Sequence, residues 1–240
     1  MSVNLRELGA RLAQAGERPV EGHTGRSVWI QSVSLYRFAC GFVRGRRVLD
    51  VACGSGYGSR MLLDAGAAHV TGVDLSADAV QYARSRYGCA GLEFAVGDVR
   101  DLSAFTPVEV VVSIETIEHV PDGAACVAAA AQALTPDGLY VVSTPNCAAD
   151  LRACRGVRPA NPHHHSEYDA PSLAAVVQQH FGEVSLYGQY WRGRSPALRG
   201  LFWLHKQLTR SLPVQPLTAD RLQWALPRRL VAVARGPLSR

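Results

Sequence analysis

A doubly wound α/β sheet, mostly parallel, is the fold this sequence predicts. Three observations predict it. Strand and helix signals alternate from residue 46 onward, the run "VEVVVSIE" is almost continuously apolar, and the turn "GSGYG" directly follows an apolar strand. Such alternation implies parallel strands with helices on both faces. A strand with no polar face implies a central place in the sheet.

The elements follow in order. "RVLDVAC" is short and rich in β-branched residues, which reads as a buried strand. "SRMLLDAGA" reads as a helix ending near Gly66, and "HVTGVDL" as the second strand. Ser76 is placed to cap the helix "ADAVQYARSRY", which stops before Gly88. "LEFAVGDV" is the third strand and "VEVVVSIE" the fourth. "GAACVAAAAQAL" is made of strong helix formers and should stop at Pro136 and Gly138. "GLYVVSTPN" is the fifth strand, and "PSLAAVVQQHF" a helix with proline in its first turn. "EVSLYGQ" and "RLVAVARG" close the series. The stretch between these two is roughly 40 residues, too long for a hairpin turn. Within it Leu201, Leu204, Leu208 and Leu212 recur at helical spacing, so an inserted helical subdomain is expected. The expected organisation is a helical cap over 1–45, a sheet domain over 46–189 and 230–240, and an insertion over 190–229.

Composition sets limits on function. The 240 residues fit one α/β domain, and 48% of them are apolar, enough for a sizeable core. No apolar run is long enough to span a bilayer. The N-terminal segment "MSVNLRELGARLAQAGERP" carries charges at helical spacing and reads as an amphipathic helix, not a signal peptide. The six cysteines lack CxxC spacing, and Cys40, Cys53, Cys89 and Cys126 sit among apolar residues. They read as reduced, mostly buried thiols of a cytoplasmic protein. The net charge of +5 is uneven, with ten Arg or Lys against one acid from Ser185 onward. A basic tail suits an anionic partner, but a solvated surface is the simpler reading.

The chemistry gathers at strand ends. In a doubly wound sheet, ligands bind beyond the carboxyl ends of the strands. There, Gly54 and Gly56 would let the main chain approach a ligand. A glycine turn alone equally suits a nicotinamide or flavin nucleotide. Asp74 at the end of the second strand is placed to accept both hydroxyls of a ribose. Asp98 at the end of the third is placed for an adenine amino group, and the fourth ends in "SIETIEH".

The segments "VLDVACGSGYGS", "VTGVDLSADAVQYAR", "LEFAVGDV", "VVVSIETIEHVPDG" and "LTPDGLYVVSTPN", spread over residues 46–146, resemble in content and order the class I S-adenosylmethionine-dependent methyltransferases. The resemblance implies a Rossmann-like sheet whose last strand, "VAVARGP", is antiparallel. It also implies cofactor-binding roles. Asp50, Ala52 and the Gly54–Gly56 backbone would meet the methionine moiety of S-adenosyl-L-methionine. Asp74 would hold the ribose, Leu75 would lie on the adenine, and Asp98 and Val99 would frame its edge. Tyr57 and Ile114 would line the pocket. Tyr36 either reaches the cofactor or packs.

Methyl transfer to a hydroxyl needs an aligned acceptor and a proton acceptor. In "ETIEHVP", Glu115, Glu118 and His119 would share one face of a helical turn. "NPHHHSEYDA" brings His163, His164 and His165 in a proline-marked loop. Two carboxylates and two imidazoles, from Glu115, Glu118, His119 and His164, would suit Mg²⁺ or another divalent metal. The pattern resembles metal-dependent small-RNA 2′-O-methyltransferases. It also resembles bacterial methyltransferases of glycan or natural-product assembly, in "ERPVEG", "ETIEH", "STPN" and the NPxHxxE loop. The second likeness makes His164 and Glu167 the matching loop residues. It weakens where Ser32 and Leu35 stand for an expected histidine and arginine. Three roles stay open for the imidazoles: metal ligand, metal-free base at His119 and His164, or none. The expected function is O-methylation of a small hydroxylated acceptor, a sugar-bearing metabolite or natural product. N-methylation without metal and RNA 2′-O-methylation are the alternatives. No membrane span and no nucleic-acid partner are expected, and a homodimer is admitted.

Overall fold

The computed structural model describes residues 4–14, 18–149, 161–190, 212–218 and 227–238. Eight strands form one sheet: β1 Arg47–Val51, β2 His69–Asp74, β3 Leu92–Val96, β4 Val108–Ile114, β5 Leu134–Pro145, β6 Phe181–Gln189, β7 Val214–Pro216 and β8 Arg229–Pro237. Their order is β3-β2-β1-β4-β5-β8-β6-β7. The pairs from β3 to β5 are parallel, and β8 runs antiparallel to both of its neighbours. The expected sheet, with its antiparallel last strand, is the one observed.

Helices cover both faces: α1 Leu5–Gln14, α2 Arg26–Ala39, α3 Tyr57–Asp64, α4 Ala77–Tyr87, α5 Gly123–Ala133 and α6 Ala170–Gln178. Alternation along the buried strands divides the core. Val110 and Val112 pack with Leu35, Ala39, Leu62 and Phe94 on the face of α2 to α4. Val111 packs with Val127, Ala130 and Leu173 on the face of α5 and α6. A smaller cluster of Leu8, Leu12, Val20, Ala79 and Tyr82 fastens α1 to α4.

Caps set the helix starts. Ser76 Oγ accepts from the Ala79 N–H at 3.2 Å, and Asp122 Oδ1 from the Ala125 N–H at 3.0 Å. Asp169 and Ser172 form a capping box on α6, with Pro171 in its first turn.

Several expectations need correction. α5 ends at Ala133 and β5 begins at Leu134, before Pro136, because Leu134 pairs with Val108 across an irregular register. Residues 214–216 of the expected helical insertion form β7, which extends the sheet beside β6. Leu212 is buried and its N–H donates to Ser34 Oγ at 2.8 Å, so this stretch docks on α2. Leu201, Leu204 and Leu208 lie outside the described residues. Cys89 is exposed, unlike Cys53 and Cys126. Among the described residues no helix is long and apolar enough to cross a membrane.

Candidate active site

The strand order reverses between β1 and β4, and their carboxyl ends part there. Each of the two strands is followed by a non-glycine residue with positive φ, Ala52 at 55° and Glu115 at 53°. That conformation costs a side-chain-bearing residue on the order of 1–3 kcal/mol. Both residues line a cavity of about 1130 Å³ that runs from the tip of β2 to the start of β8. Its size exceeds the roughly 300–1,000 Å³ of ordinary small-ligand pockets and leaves room for two ligands.

One end is built around Asp74, which is buried. Its Oδ2 accepts from the Gly54 N–H at 2.9 Å and its Oδ1 from the Ser76 N–H at 2.9 Å. Arg18 donates to the same Oδ1 at 3.3 Å. Leu75, beside it, lines the cavity and is 69% exposed, an apolar surface facing open space. Asp98 also lines the cavity, but Arg100 grips its carboxylate at 2.6 Å and holds its pKa below the ordinary value. Val99 and Ile114 line the same wall. Tyr57 lies between Trp29, with ring centroids 4.6 Å apart, and Tyr36, edge-on at 5.3 Å.

Asp50 is not part of the lining. It is fully buried, where Ser59 donates to it at 2.6 Å and Tyr36 at 3.1 Å. Burial pushes its pKa up to about 7, although both hydrogen bonds oppose the shift. Asp50 therefore positions Tyr36, which does line the cavity.

The glycines also divide. Gly54 faces the cavity, with the stem of Arg18 at 3.7 Å from where a Cβ would lie. A Cβ on Gly56 would stand 2.6 Å from that of Ala83, and one on Gly58 would stand 2.0 Å from the ring of Tyr36. The sequence reading placed Gly54 and Gly56 together under a ligand. The structure gives Gly56, like Gly58, to close packing of α3.

The other end gathers acids and imidazoles. The expected helical turn with three residues on one face does not form. Glu115 lies outside it in the left-handed region, and only Ile117–His119 form a short 3₁₀ turn. Glu115 turns to Ser143, whose hydroxyl donates at 3.1 Å, and to Arg229, which forms a short ion pair with it. Glu118, His119 and His164 do converge, with one ligand atom from each lying within 4.8 Å of the others. Glu118 is 1% exposed, and its Oε2 has no hydrogen-bond partner among the described residues. Burial pushes its pKa well above the ordinary value, and the charge of Glu115 adds to the shift.

The histidine loop is fastened to this turn by backbone. The N–H groups of His165 and Ser166 both donate to the Glu118 carbonyl, at 2.8 and 3.2 Å. His119 Nδ1 lies 3.1 Å from the His163 carbonyl. A carbonyl only accepts, so Nδ1 carries a hydrogen; in the neutral ring Nε2, 3.8 Å from Glu118, holds the lone pair. His164 Nδ1 lies 2.9 Å from Glu167, and its Nε2 lies 3.1 Å from the Asn161 amide nitrogen. Both nitrogens of that ring are engaged.

Arg18, Arg228 and Arg229 also line the cavity and were not singled out in the sequence. Their only signals were the dipeptide "RR" before the last strand and the arginine of "ERPVEG".

Comparison with known proteins agrees with this architecture. A family model described as a methyltransferase domain matches residues 48–138. A ubiquinone biosynthesis O-methyltransferase of Xylella fastidiosa is 34% identical over 168 residues, covering 63% of this chain and 68% of its own. One from Neisseria meningitidis is 39% identical over 109 residues, 43% of this chain and 46% of that protein. A relative in Mycolicibacterium smegmatis, named "Probable S-adenosylmethionine-dependent methyltransferase", is 31% identical over 71% of this chain. The chain spans 65% of that relative's length. The solved N-methyltransferase NodS of Bradyrhizobium japonicum, in complex with S-adenosyl-L-homocysteine, superposes with a TM-score of 0.62. It shares 16% identity and covers 98% of each chain, a likeness of fold. The chain belongs to the S-adenosylmethionine-dependent methyltransferases, and S-adenosylmethionine is the cofactor of that family.

Proposed function

We propose that this chain is an S-adenosylmethionine-dependent O-methyltransferase acting on a hydroxyl of a small molecule, a sugar-bearing metabolite or natural product. The observation that carries the reading is one cavity with a carboxylate–glycine cradle at Asp74 and Gly54, and an acid–imidazole cluster at its far end. The relatives named O-methyltransferases support oxygen over nitrogen as acceptor.

The reaction is an in-line displacement. An oxygen lone pair of the acceptor attacks the sulfonium methyl, the C–S bond breaks, and its electrons return to sulfur. The hydroxyl proton must leave, and His119 accepts it through Nε2. His164, whose Nδ1 and Nε2 meet Glu167 and Asn161, is the second candidate base. Asp74, oriented by the Gly54 N–H, takes the ribose side, while Tyr57, backed by Trp29, lines the cavity wall.

Glu118, His119 and His164 also offer a divalent ion one ligand atom each, as an alternative to the base role. An ion on His119 Nε2 would occupy the lone pair that takes the proton, and one on His164 Nε2 would displace the Asn161 amide. The buried Oε2 of Glu118 lacks a partner, and a cation beside it would offset the cost of burying its charge. With Glu115 held by Arg229, the donors are one carboxylate and two imidazoles. That set favours Mn²⁺, Fe²⁺ or Zn²⁺ over Mg²⁺. Such an ion would polarise the acceptor hydroxyl and lower its pKa.

The test is methyl transfer from labelled S-adenosylmethionine into a panel of hydroxylated and amine-bearing small molecules. Oxygen-methylated products are expected. Transfer confined to amine nitrogen, or to RNA, would overturn the reading. Metal content after dialysis without chelator, and inhibition by EDTA, test the ion separately.

A further inference from the structure

Asp74 holds three donors on two oxygens: the N–H groups of Gly54 and Ser76, and the guanidinium of Arg18. A carboxylate offers about four lone-pair sites, and a ribose diol needs two of them. The two backbone donors are fixed by the ends of β1 and β2. Arg18 is the partner that must yield when the diol binds.

Its backbone cannot travel far. Ser55 Oγ donates to the Pro19 carbonyl at 2.6 Å, and Val20 is fully buried against α1 and α4. Its side chain is 36% exposed and can move. Displaced from Asp74, the guanidinium stays on a stem lying over Gly54, the part of the turn that faces the cavity. The methionine half of the cofactor carries one anionic group, its carboxylate, and must lie along this turn to present its methyl toward the β4 side. Two of the other arginines in the lining are held by acids, Arg100 by Asp98 and Arg229 by Glu115. Arg228 stands beside Arg229 at the start of β8.

We infer that Arg18 binds the carboxylate of S-adenosylmethionine, exchanging Asp74 for it as the ribose takes over Asp74. The inference rests on the cofactor reading and adds to it a residue that selects the amino-acid half of the ligand. An arginine fits because a guanidinium matches a carboxylate with paired donors.

Calorimetry with S-adenosylmethionine and with its decarboxylated form tests this on the full chain, for wild type, Arg18→Ala and Arg18→Lys. The two ligands differ only in the carboxylate. Wild type is expected to prefer S-adenosylmethionine by roughly 10- to 100-fold, the worth of a hydrogen-bonded charge pair. Arg18→Ala should bring the ratio close to one, and Arg18→Lys, which keeps the charge but not the paired donors, should restore part of it. Removing competition for Asp74 tightens both ligands alike, so it cancels from the ratio. An Arg18→Ala ratio equal to that of wild type overturns the inference while leaving the cofactor reading intact. Wild type that binds neither ligand overturns both.

Discussion

The two ends of the cavity are built by different means. At the β2 end, Asp74 is held by backbone N–H groups from Gly54, twenty residues away, and from Ser76, two residues away. At the β4 end the partners are side chains and loops far apart in sequence. Glu115 meets Arg229 across 114 positions, and His119 meets the His163 carbonyl across 44. A site made of local turns can serve any member of a family that shares a cofactor. A site made of long-range side-chain pairs can change with the acceptor while the sheet stays the same.

The largest expected effects separate the two ends. Asp74→Ala removes the acceptor of three hydrogen bonds and leaves two backbone donors without a partner. It should weaken S-adenosylmethionine binding by roughly 100-fold or more, read by calorimetry. Unchanged affinity would break the assignment of this end to the ribose.

Glu118→Gln probes the other end. If Glu118 is only a buried, protonated acid, glutamine is nearly its isostere and the change is silent. If its carboxylate ligates a divalent ion, turnover should fall by roughly 100-fold and bound metal should be lost. Cofactor affinity should hold within about twofold, as Glu118 lies at the other end of the cavity. Full activity with unaltered metal content would reduce Glu118 to a packing role.

This contrast also governs what was legible in the sequence. The sheet could be read because each strand carries its own apolar run and each helix its own cap, as at Ser76. Asp74 and Gly54 could be read because a strand end followed by a glycine turn is a local pattern. The division of labour among the glycines could not. Gly58 is small because Tyr36, from another helix, lies where its Cβ would go. Nor could the fate of Glu115, since its spacing to Glu118 and His119 holds only on a continuous helix. The chain instead enters the left-handed region at Glu115, and Ser143 and Arg229 claim the carboxylate. Arg18 was invisible as a site residue because its contact with Asp74 depends on α1 docking against α4.

A third prediction concerns stability, not binding or turnover, and Asp50, which shares the β2 end with Asp74 but faces away from the cavity. Its pKa is raised by burial from an ordinary 3.8 to about 7. Between these values the folded chain binds more protons than the unfolded one, so its stability falls as pH rises. Below this range Asp50 is protonated in both states, and above it ionised in both. The loss has an upper limit of about 4 kcal/mol over the interval, at about 1.36 kcal/mol per pH unit. Asp50→Asn removes the ionisation, while the Ser59 and Tyr36 hydroxyls can rotate to suit an amide. Glu118 shifts in the same direction, so wild type alone does not isolate Asp50. Urea unfolding at pH 4 and pH 7 should show Asp50→Asn gaining on wild type as pH rises, by up to that limit. A difference independent of pH would mean that Asp50 is ionised throughout. Tyr36 would then be held by a charged carboxylate that faces away from the cavity.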